Sequence, residues 1–240
     1  MPAGIPLRHE LKYYINEKQH IILSNILDHV LARDPNGDDA NEYHIRSLYF
    51  DDVFQRAFYD KINGVQNRKK YRIRIYNLKD DNIRLECKTK VGSLISKRSI
   101  GIPLDLCDQL SAADPTNLDT SRSGLLSEMF GEMRVNLLKP VVLVDYVREA
   151  YVHPAEEVRI TFDKQLRTGY LSTDIFNPNV PMLPPLENNE IILEIKYNKS
   201  LPSYIWNVLR TYCTCALPSA VSKYVLSRTY EGISPDPNTR

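Results

Sequence analysis

The chain has 240 residues, which at roughly 150 residues per domain favours one large domain over two. Hydrophobic residues make up 42% and charged residues 25%, ordinary globular usage that excludes a wholly disordered, collagen-like or coiled-coil chain. Thirty-one Lys and Arg against 30 Asp and Glu give a formal net charge of +1, which excludes a generally basic nucleic-acid coat and a strongly acidic tail.

The first eight residues, Met1-Pro2-Ala3-Gly4-Ile5-Pro6-Leu7-Arg8, lack the apolar core of a signal peptide, and no run of 18 apolar residues follows. Neither secretion nor membrane insertion is expected, and the cytoplasm is the expected location. Strand alternation covers 8–15. A helical period follows over 17–32, where Ile21, Ile22, Ile26, Leu27, Val30 and Leu31 recur at three- and four-residue steps behind Asn16, an N-cap residue type. Asp34-Pro35-Asn36-Gly37 ends it. Further strands are predicted over 43–50, 70–77, 82–90 and 94–102, helices over 103–112 and 124–138, and strands over 140–152, 157–165 and 189–197. Residues 176–188, with Pro178, Pro181, Pro184 and Pro185, read as a loop. A last helical region covers 203–213 and resumes after Pro218 toward Ser227. The expected organisation is one domain over 1–233 and a flexible tail over 234–240.

The charge is unevenly placed. Residues 68–98 hold eleven basic side chains and three acidic ones, while 28–60 carry eight acids against three bases and 99–135 six against two. Side chains alternate across a strand, so Tyr71, Ile73 and Ile75 share one face while Arg72, Arg74 and Tyr76 share the other. Leu11, Tyr13 and Ile15 likewise oppose Arg8, Glu10 and Lys12. Ile83, Leu85 and Cys87 oppose Arg84, Glu86, Lys88 and Lys90. Val158, Ile160 and Phe162 oppose Arg159, Thr161 and Asp163, and Glu194 and Lys196 oppose Ile191, Leu193 and Ile195. The parity of Arg46 does not fix which way it faces.

Two architectures satisfy this pattern. One is an antiparallel sheet with its polar face in water. The other closes the sheet into a barrel, with helices outside and the charges within. The bias toward Arg and Lys on neighbouring strands favours the second, because like charges placed opposite each other cost up to about 1 kcal/mol per pair. A cationic interior of this kind calls for a polyanion. Arg binds phosphate oxygens bidentately and Lys as a mobile point charge, which suits a linear phosphate chain. Glu10, Glu86 and Glu194 lie among the cations and could ligate Mg²⁺ or Mn²⁺ together with phosphate oxygens. Each could equally pair with a neighbouring Arg or Lys.

Arg8-His-Glu10-Leu-Lys12-Tyr13, Ser47-Leu-Tyr49-Phe50-Asp51, Lys70-Tyr-Arg72-Ile-Arg74-Ile-Tyr76, Leu85-Glu86-Cys-Lys88-Thr-Lys90, Lys97-Arg98, Tyr146-Val-Arg148-Glu-Ala150, Val158-Arg159-Ile, Leu193-Glu194-Ile-Lys196 and Ser222-Lys223-Tyr224 together resemble the VTC domain. That is the catalytic domain of vacuolar transporter chaperone polyphosphate polymerases, within the triphosphate tunnel metalloenzymes. The resemblance runs in order from about residue 6 to 230. It implies an α+β fold with a closed antiparallel tunnel of about eight strands, holding ATP or inorganic polyphosphate with Mn²⁺ or Mg²⁺. It also implies roles. Lys12, Arg72, Arg74, Lys88, Arg148 and Arg159 would grip phosphates, Lys97 and Lys223 would stand near a tunnel mouth, and Glu194 would hold the metal. Lys61 approximates a family basic position. Lys90, Lys196 and Arg8 enter through strand parity, which is equally consistent with structural ion pairs.

The related CYTH phosphohydrolases begin Glu-x-Glu-x-Lys, where this chain has Arg8-x-Glu10-x-Lys12; the difference favours the polymerase branch. The sequence shows neither the SPX sensor nor the membrane helices of eukaryotic polymerases. A bacterial-style domain is therefore expected, with any membrane partner on another polypeptide.

Other signals are weak. His9, His20, His29, His44 and His153 show no metal-ligand spacing, and Cys87, Cys107, Cys213 and Cys215 read as reduced structural thiols. No nucleophile elbow or Gly-rich phosphate loop is present. Fifteen tyrosines could suggest base stacking on nucleic acid, but Tyr71 lies opposite the arginines, so packing between sheet and helix is expected and nucleic acid is not. The expected activity is polyphosphate synthesis from ATP. The alternatives are a tunnel phosphohydrolase acting on tripolyphosphate or nucleoside triphosphates, and a non-catalytic polyanion-binding module.

Overall fold

The computed structural model describes residues 8–92, 94–116, 120–154, 157–186, 190–213 and 219–236. Cys215, the break at Pro218, part of the 176–188 loop and most of the 234–240 tail fall outside them. The eight predicted strands are present as β1 (His9–Ile15), β3 (Glu42–Asp51), β4 (Arg68–Tyr76), β5 (Lys79–Val91), β6 (Leu94–Gly101), β7 (Lys139–Val152), β8 (Arg159–Gly169) and β10 (Ile191–Tyr197). Two short strands unseen in the sequence pattern, β2 (Ala32–Arg33) and β9 (Met182–Leu183), add to β7 and β8. All pair antiparallel in the order β1-β10-β8-β7-β3-β4-β5-β6.

This ladder does not close as a barrel. Strands β1 and β6 are its two ends, joined only by an isolated bridge in which the Arg8 N–H donates to the Ile95 carbonyl at 3.2 Å. Past Ile95 the backbone of β6 pairs with β5 alone. The sheet is nevertheless strongly curled, because Lys88 on β5 reaches Glu10 on β1 at 2.8 Å across this seam.

The helices are α1 (Glu17–Val30), α2 (Arg56–Ile62), α3 (Leu104–Ser111), α4 (Gly124–Val135), α5 (Ser203–Tyr212) and α6 (Lys223–Tyr230). Together with the sheet they make an α+β fold. Among the described residues no helix is long and apolar enough to cross a membrane. A capping box starts α1: the Asn16 side chain accepts from Gln19 N–H, and Gln19 Oε1 accepts from Asn16 N–H. Helices α1 and α5 bury Leu23, Leu27, Ile205 and Leu209 against Tyr13, Ile160, Leu193 and Ile195. Helices α3 and α4 bury Leu106, Leu110, Met129 and Met133 against Ile73, Ile75, Leu85 and Cys87. Cys87, Cys107 and Cys213 are buried free thiols.

The opposite, charged face is buried too. Arg74, Glu86, Arg148, Asp163 and Glu194 are all at most 7% exposed, so the sheet does not turn its polar face to water. Helix α6 and the segment before it close over one end of that face. Ser219 N–H donates to the Lys12 carbonyl, and Tyr224 packs with Tyr49 and Tyr146. Helix α2 escaped the periodicity reading because upstream residues cap it: Asp51 accepts from the Ala57 and Phe58 N–H groups, and Asp52 from Arg56 N–H.

Candidate functional site: a cationic face with paired carboxylates

The charged face organises around two groups of carboxylates. In the first, β1 and β10 pair Lys12 with Glu194 and Glu10 with Lys196. Glu10 binds Lys12 at 3.0 Å and Lys88 at 2.8 Å. Glu194 binds Lys196 at 3.1 Å and Arg148 at 3.6 Å. Arg148 forks onto Asp163 at 2.6 and 2.8 Å, and Lys223 from α6 completes Asp163 at 2.5 Å. Glu10 and Glu194 repel each other across the two strands. In the second group, Glu86 on β5 receives Arg72 at 2.6 Å, Lys97 at 2.7 Å and Arg74 at 4.0 Å. Arg72 also donates to Tyr49 Oη at 2.8 Å and Arg74 to Tyr146 Oη at 2.9 Å.

Tyrosines floor these cations. Arg148 and Lys223 lie 5.3 and 4.7 Å from the Tyr146 ring centre, Arg72 5.7 Å from Tyr49, and Lys70 4.6 Å from Tyr224.

Positive charge exceeds negative on this face. Among the described residues, Lys12, Lys70, Arg72, Arg74, Lys88, Lys97, Arg148, Lys196 and Lys223 are nine cations facing five carboxylates, Glu10, Asp51, Glu86, Asp163 and Glu194. Ionisation records the imbalance. Burial, then repulsion from Lys88, Lys12 and Lys61, pushes Lys70 well below the ordinary lysine range. Burial and the neighbouring Lys12 take Lys88 down to about 8. On α2, burial and then Arg68, Lys12 and Lys90 take Lys61 to about 8 as well. Burial pushes the Tyr49 phenol up, but Arg72, Arg74 and Lys223 outweigh it and hold it below the ordinary tyrosine value. Lys12 goes the other way: burial lowers it, and Glu10 and Glu194 more than offset that.

The predicted residues fall into four settings. Lys12, Arg72, Arg74, Lys88, Lys97, Arg148, Lys196, Lys223, Glu10, Glu86 and Glu194 converge as described. Arg159 stands apart, bound to Asp34 and to Tyr43 Oη. Lys90 lines a cavity of about 320 Å³ beside α2, with Asp52, Arg68 and Lys70 among others, while Lys61 on α2 is repelled by Arg68, Lys12, Lys90 and Lys88. Arg8 is exposed at the β1–β6 seam. Arg46 lies on the other face, forked onto Asp145 at 2.8 and 2.9 Å.

Sequence reasoning passed over Asp163, Lys70, Tyr49 and Tyr146 as site residues. Asp163, Lys70 and Tyr146 each share strand parity with a residue it did choose, and that was the available signal; Tyr49 lies on β3, where no residue was chosen. Tyr71 lies between sheet and helix as expected, its Oη donating to Glu128 on α4 at 2.5 Å, and His9 stacks on Tyr197 away from the charged face.

Metal chemistry can be tested against the donor set. Among the described residues no cluster of three or more His, Cys, Asp or Glu side chains could enclose an ion. Glu10 and Glu194 on neighbouring strands supply two carboxylates, the number a hard divalent cation can take from protein while completing its shell with phosphate oxygens and water, and each is already held by two cations. Glu86 is engaged by Arg72, Arg74 and Lys97.

The curled antiparallel sheet and its helices make an α+β domain whose inner face carries buried cations in excess. Residues 7–230 match the VTC domain family, and the chain belongs to that family. No curated protein matches the sequence. Among solved structures, a candidate adenylate cyclase from Bacillus halodurans shares the fold at a TM-score of 0.53 and 14% identity, covering 90% of this chain and 95% of that one. A Pyrococcus horikoshii protein is similar at 0.46 and 14% over 94% and 99%. A candidate adenylate cyclase from Vibrio parahaemolyticus is similar at 0.42 and 11% over 88% and 87%.

Proposed function

We propose that this chain is a polyphosphate polymerase that transfers the terminal phosphoryl group of ATP to inorganic polyphosphate along the cationic face, which serves as the wall of a tunnel. The observation that carries the reading is the excess of buried cations among the described residues, nine against five carboxylates, with Lys61, Lys70 and Lys88 held below their ordinary pKa. Such a face is strained by its own charge, and a linear polyanion relieves it along its whole length. Family membership supports the phosphoryl-transfer class.

The chemistry asked of the side chains is positional. Arg72, Arg74 and Arg148 present planar forks for non-bridging phosphate oxygens, held in place by Tyr49, Tyr146, Glu86 and Asp163. Lys12, Lys88, Lys196 and Lys223 supply point charge that can follow a sliding chain. The end of a polyphosphate chain is already an anionic nucleophile, so no general base is required, and catalysis reduces to alignment and charge stabilisation. Glu10 and Glu194 would hold Mg²⁺ or Mn²⁺, which when bound would neutralise charge on the transferring phosphoryl group. Arg159 and Lys97 stand at the margins, where they would guide the chain.

The test is to incubate the purified protein with ATP, a short polyphosphate primer and Mn²⁺ while quantifying ADP, free phosphate and polyphosphate. ADP rising with polyphosphate, and little free phosphate, is the expected result. Free phosphate equal to ADP would make the chain a phosphohydrolase, and no product at all would leave a binding module.

A further inference from the structure

We infer that the helix-covered face of the sheet carries a second ligand site, a pocket for a small organic anion with an apolar body, centred on Arg167. A cavity of about 540 Å³ opens there, lined by His44, Arg46, Asp145, Arg167, Val180 and Met182 among others, within the size range of small-molecule sites. It lies on the face opposite Arg74 and Tyr146, because His44 and Arg46 alternate with Ile45 and Ser47 along β3.

A backbone irregularity puts Arg167 in this pocket. Opposite Tyr146 on β7, strand β8 carries two residues, Gln165 and Leu166, and Gln165 takes a positive φ of 51°. This bulge shifts parity by one, so that Arg167 rather than Leu166 pairs with Asp145 and joins the helix-covered face. Without it, Arg167 would point to the charged face, where a further cation would suit a polyanion. The bulge instead brings this arginine to the cavity.

The charge there is incompletely matched. Asp145 is saturated: Arg46 Nε and Nη2 donate to it at 2.8 and 2.9 Å, and His44 Nε2 lies at 3.1 Å. Arg46 is anchored further by the carbonyls of Asn177 at 2.6 Å and Ile175 at 3.3 Å. The Arg46–Asp145 pair, at most 2% exposed, is thus a fixed, neutral floor. Arg167 faces it with no carboxylate of its own among the described residues, and its Nε is buried without a hydrogen-bond partner. His44 Nδ1 is likewise buried and unpartnered. An unmatched guanidinium beside an imidazole calls for one anionic group. Leu78, Pro178, Val180 and Met182 supply an apolar wall for the rest of the ligand. The site thus differs in kind from the charged face, which is lined by cations, carboxylates and tyrosines.

Benzoate is a suitable probe, with orthophosphate as the anion lacking an apolar body, each titrated into protein carrying ¹³C-methyl methionine. Benzoate should shift the Met182 resonance and leave Met129 and Met133, buried under α4, unmoved. Saturating the charged face with tripolyphosphate should not change this. Orthophosphate should bind about tenfold more weakly, and Arg167→Gln should weaken benzoate about tenfold or more, the worth of one charge-assisted hydrogen bond. The wild-type titration alone is decisive if the variant folds poorly: no Met182 shift overturns the site. Equal affinity in Arg167→Gln, displacement by tripolyphosphate, or parity between benzoate and orthophosphate would each overturn the assignment.

Discussion

Glu10 and Glu194, on the neighbouring strands β1 and β10, repel each other, yet both carboxyl groups are held below the ordinary carboxylate range. Burial and mutual repulsion push Glu10 up, and Lys12 and Lys88 outweigh them. For Glu194, burial is outweighed by Lys196 and Lys12. Two like charges on neighbouring strands, surrounded by fixed cations, are the clamp proposed above for a divalent ion that arrives with phosphate.

Glu194→Gln removes half of that clamp while keeping its shape. Turnover should fall about 100-fold or more, in line with the loss of a group that stabilises transition-state charge, while polyphosphate binding stays within a few-fold. Activity against Mn²⁺ concentration together with polyphosphate binding by calorimetry checks this. Unchanged turnover removes the metal assignment from Glu194.

Arg72 and Arg74 both contact Glu86, so replacing them has two separable effects. Arg72→Ala with Arg74→Ala should weaken polyphosphate binding and flatten its salt dependence by roughly 0.7 log units for each phosphate no longer neutralised. It should also cost about 3–5 kcal/mol of stability, because Glu86, only 2% exposed, keeps Lys97 as its remaining partner. Adding Glu86→Gln should recover stability without recovering affinity. A salt slope equal to wild type would place the arginines outside the binding surface.

Lys61 links binding to pH. Its pKa of about 8, against an ordinary 10.5, means that the free protein holds fewer protons there than the unfolded chain between those values. Stability of the free protein should therefore rise as pH increases from about 8 toward 10.5. A bound polyanion favours the charged amine, so binding should take up protons in the same window and weaken as pH rises through it. Calorimetry at about pH 9, between those two values, in two buffers of different ionisation enthalpy measures that uptake. Lys61→Met should reduce it, and an identical proton count in the variant would exclude Lys61 from the ligand's surroundings.

Much of this was legible in the strands. The alternation of Arg72 and Arg74 with Ile73 and Ile75 is a local property of an extended chain, and it determines faces before any tertiary contact is known. What alternation cannot supply is curvature, and the expected continuous barrel gave way to a ladder left open between β1 and β6 save for the Arg8–Ile95 bridge. Nor can it locate a bulge: Arg167 changed face because Gln165 adopts a conformation that leaves no mark on hydrophobic periodicity. Arg46 could be assigned a face only once its partner Asp145 was known. Helix α2 was hidden because its cap is Asp51, a strand residue whose other contact is Tyr224 from α6, 173 residues away.

Asp163 offers the sharpest separation of structural from ligand-binding charge. It is fully buried, held by both arms of Arg148 and by Lys223. Burial pushes its carboxyl up, and Arg148 and Lys223 outweigh that and hold it below the ordinary aspartate value. Asp163→Asn keeps the volume but leaves Arg148 only the more distant Glu194 at 3.6 Å and Lys223 no carboxylate. The free variant should lose about 3–5 kcal/mol, as expected when one member of a buried ionic group is removed. If Arg148 and Lys223 face phosphate, a polyanion restores the missing charge, so tripolyphosphate should raise the melting temperature of Asp163→Asn by more than that of the wild type. Equal increments in a thermal-shift series would mean that these two cations serve the fold alone and that the phosphate path runs elsewhere on the face.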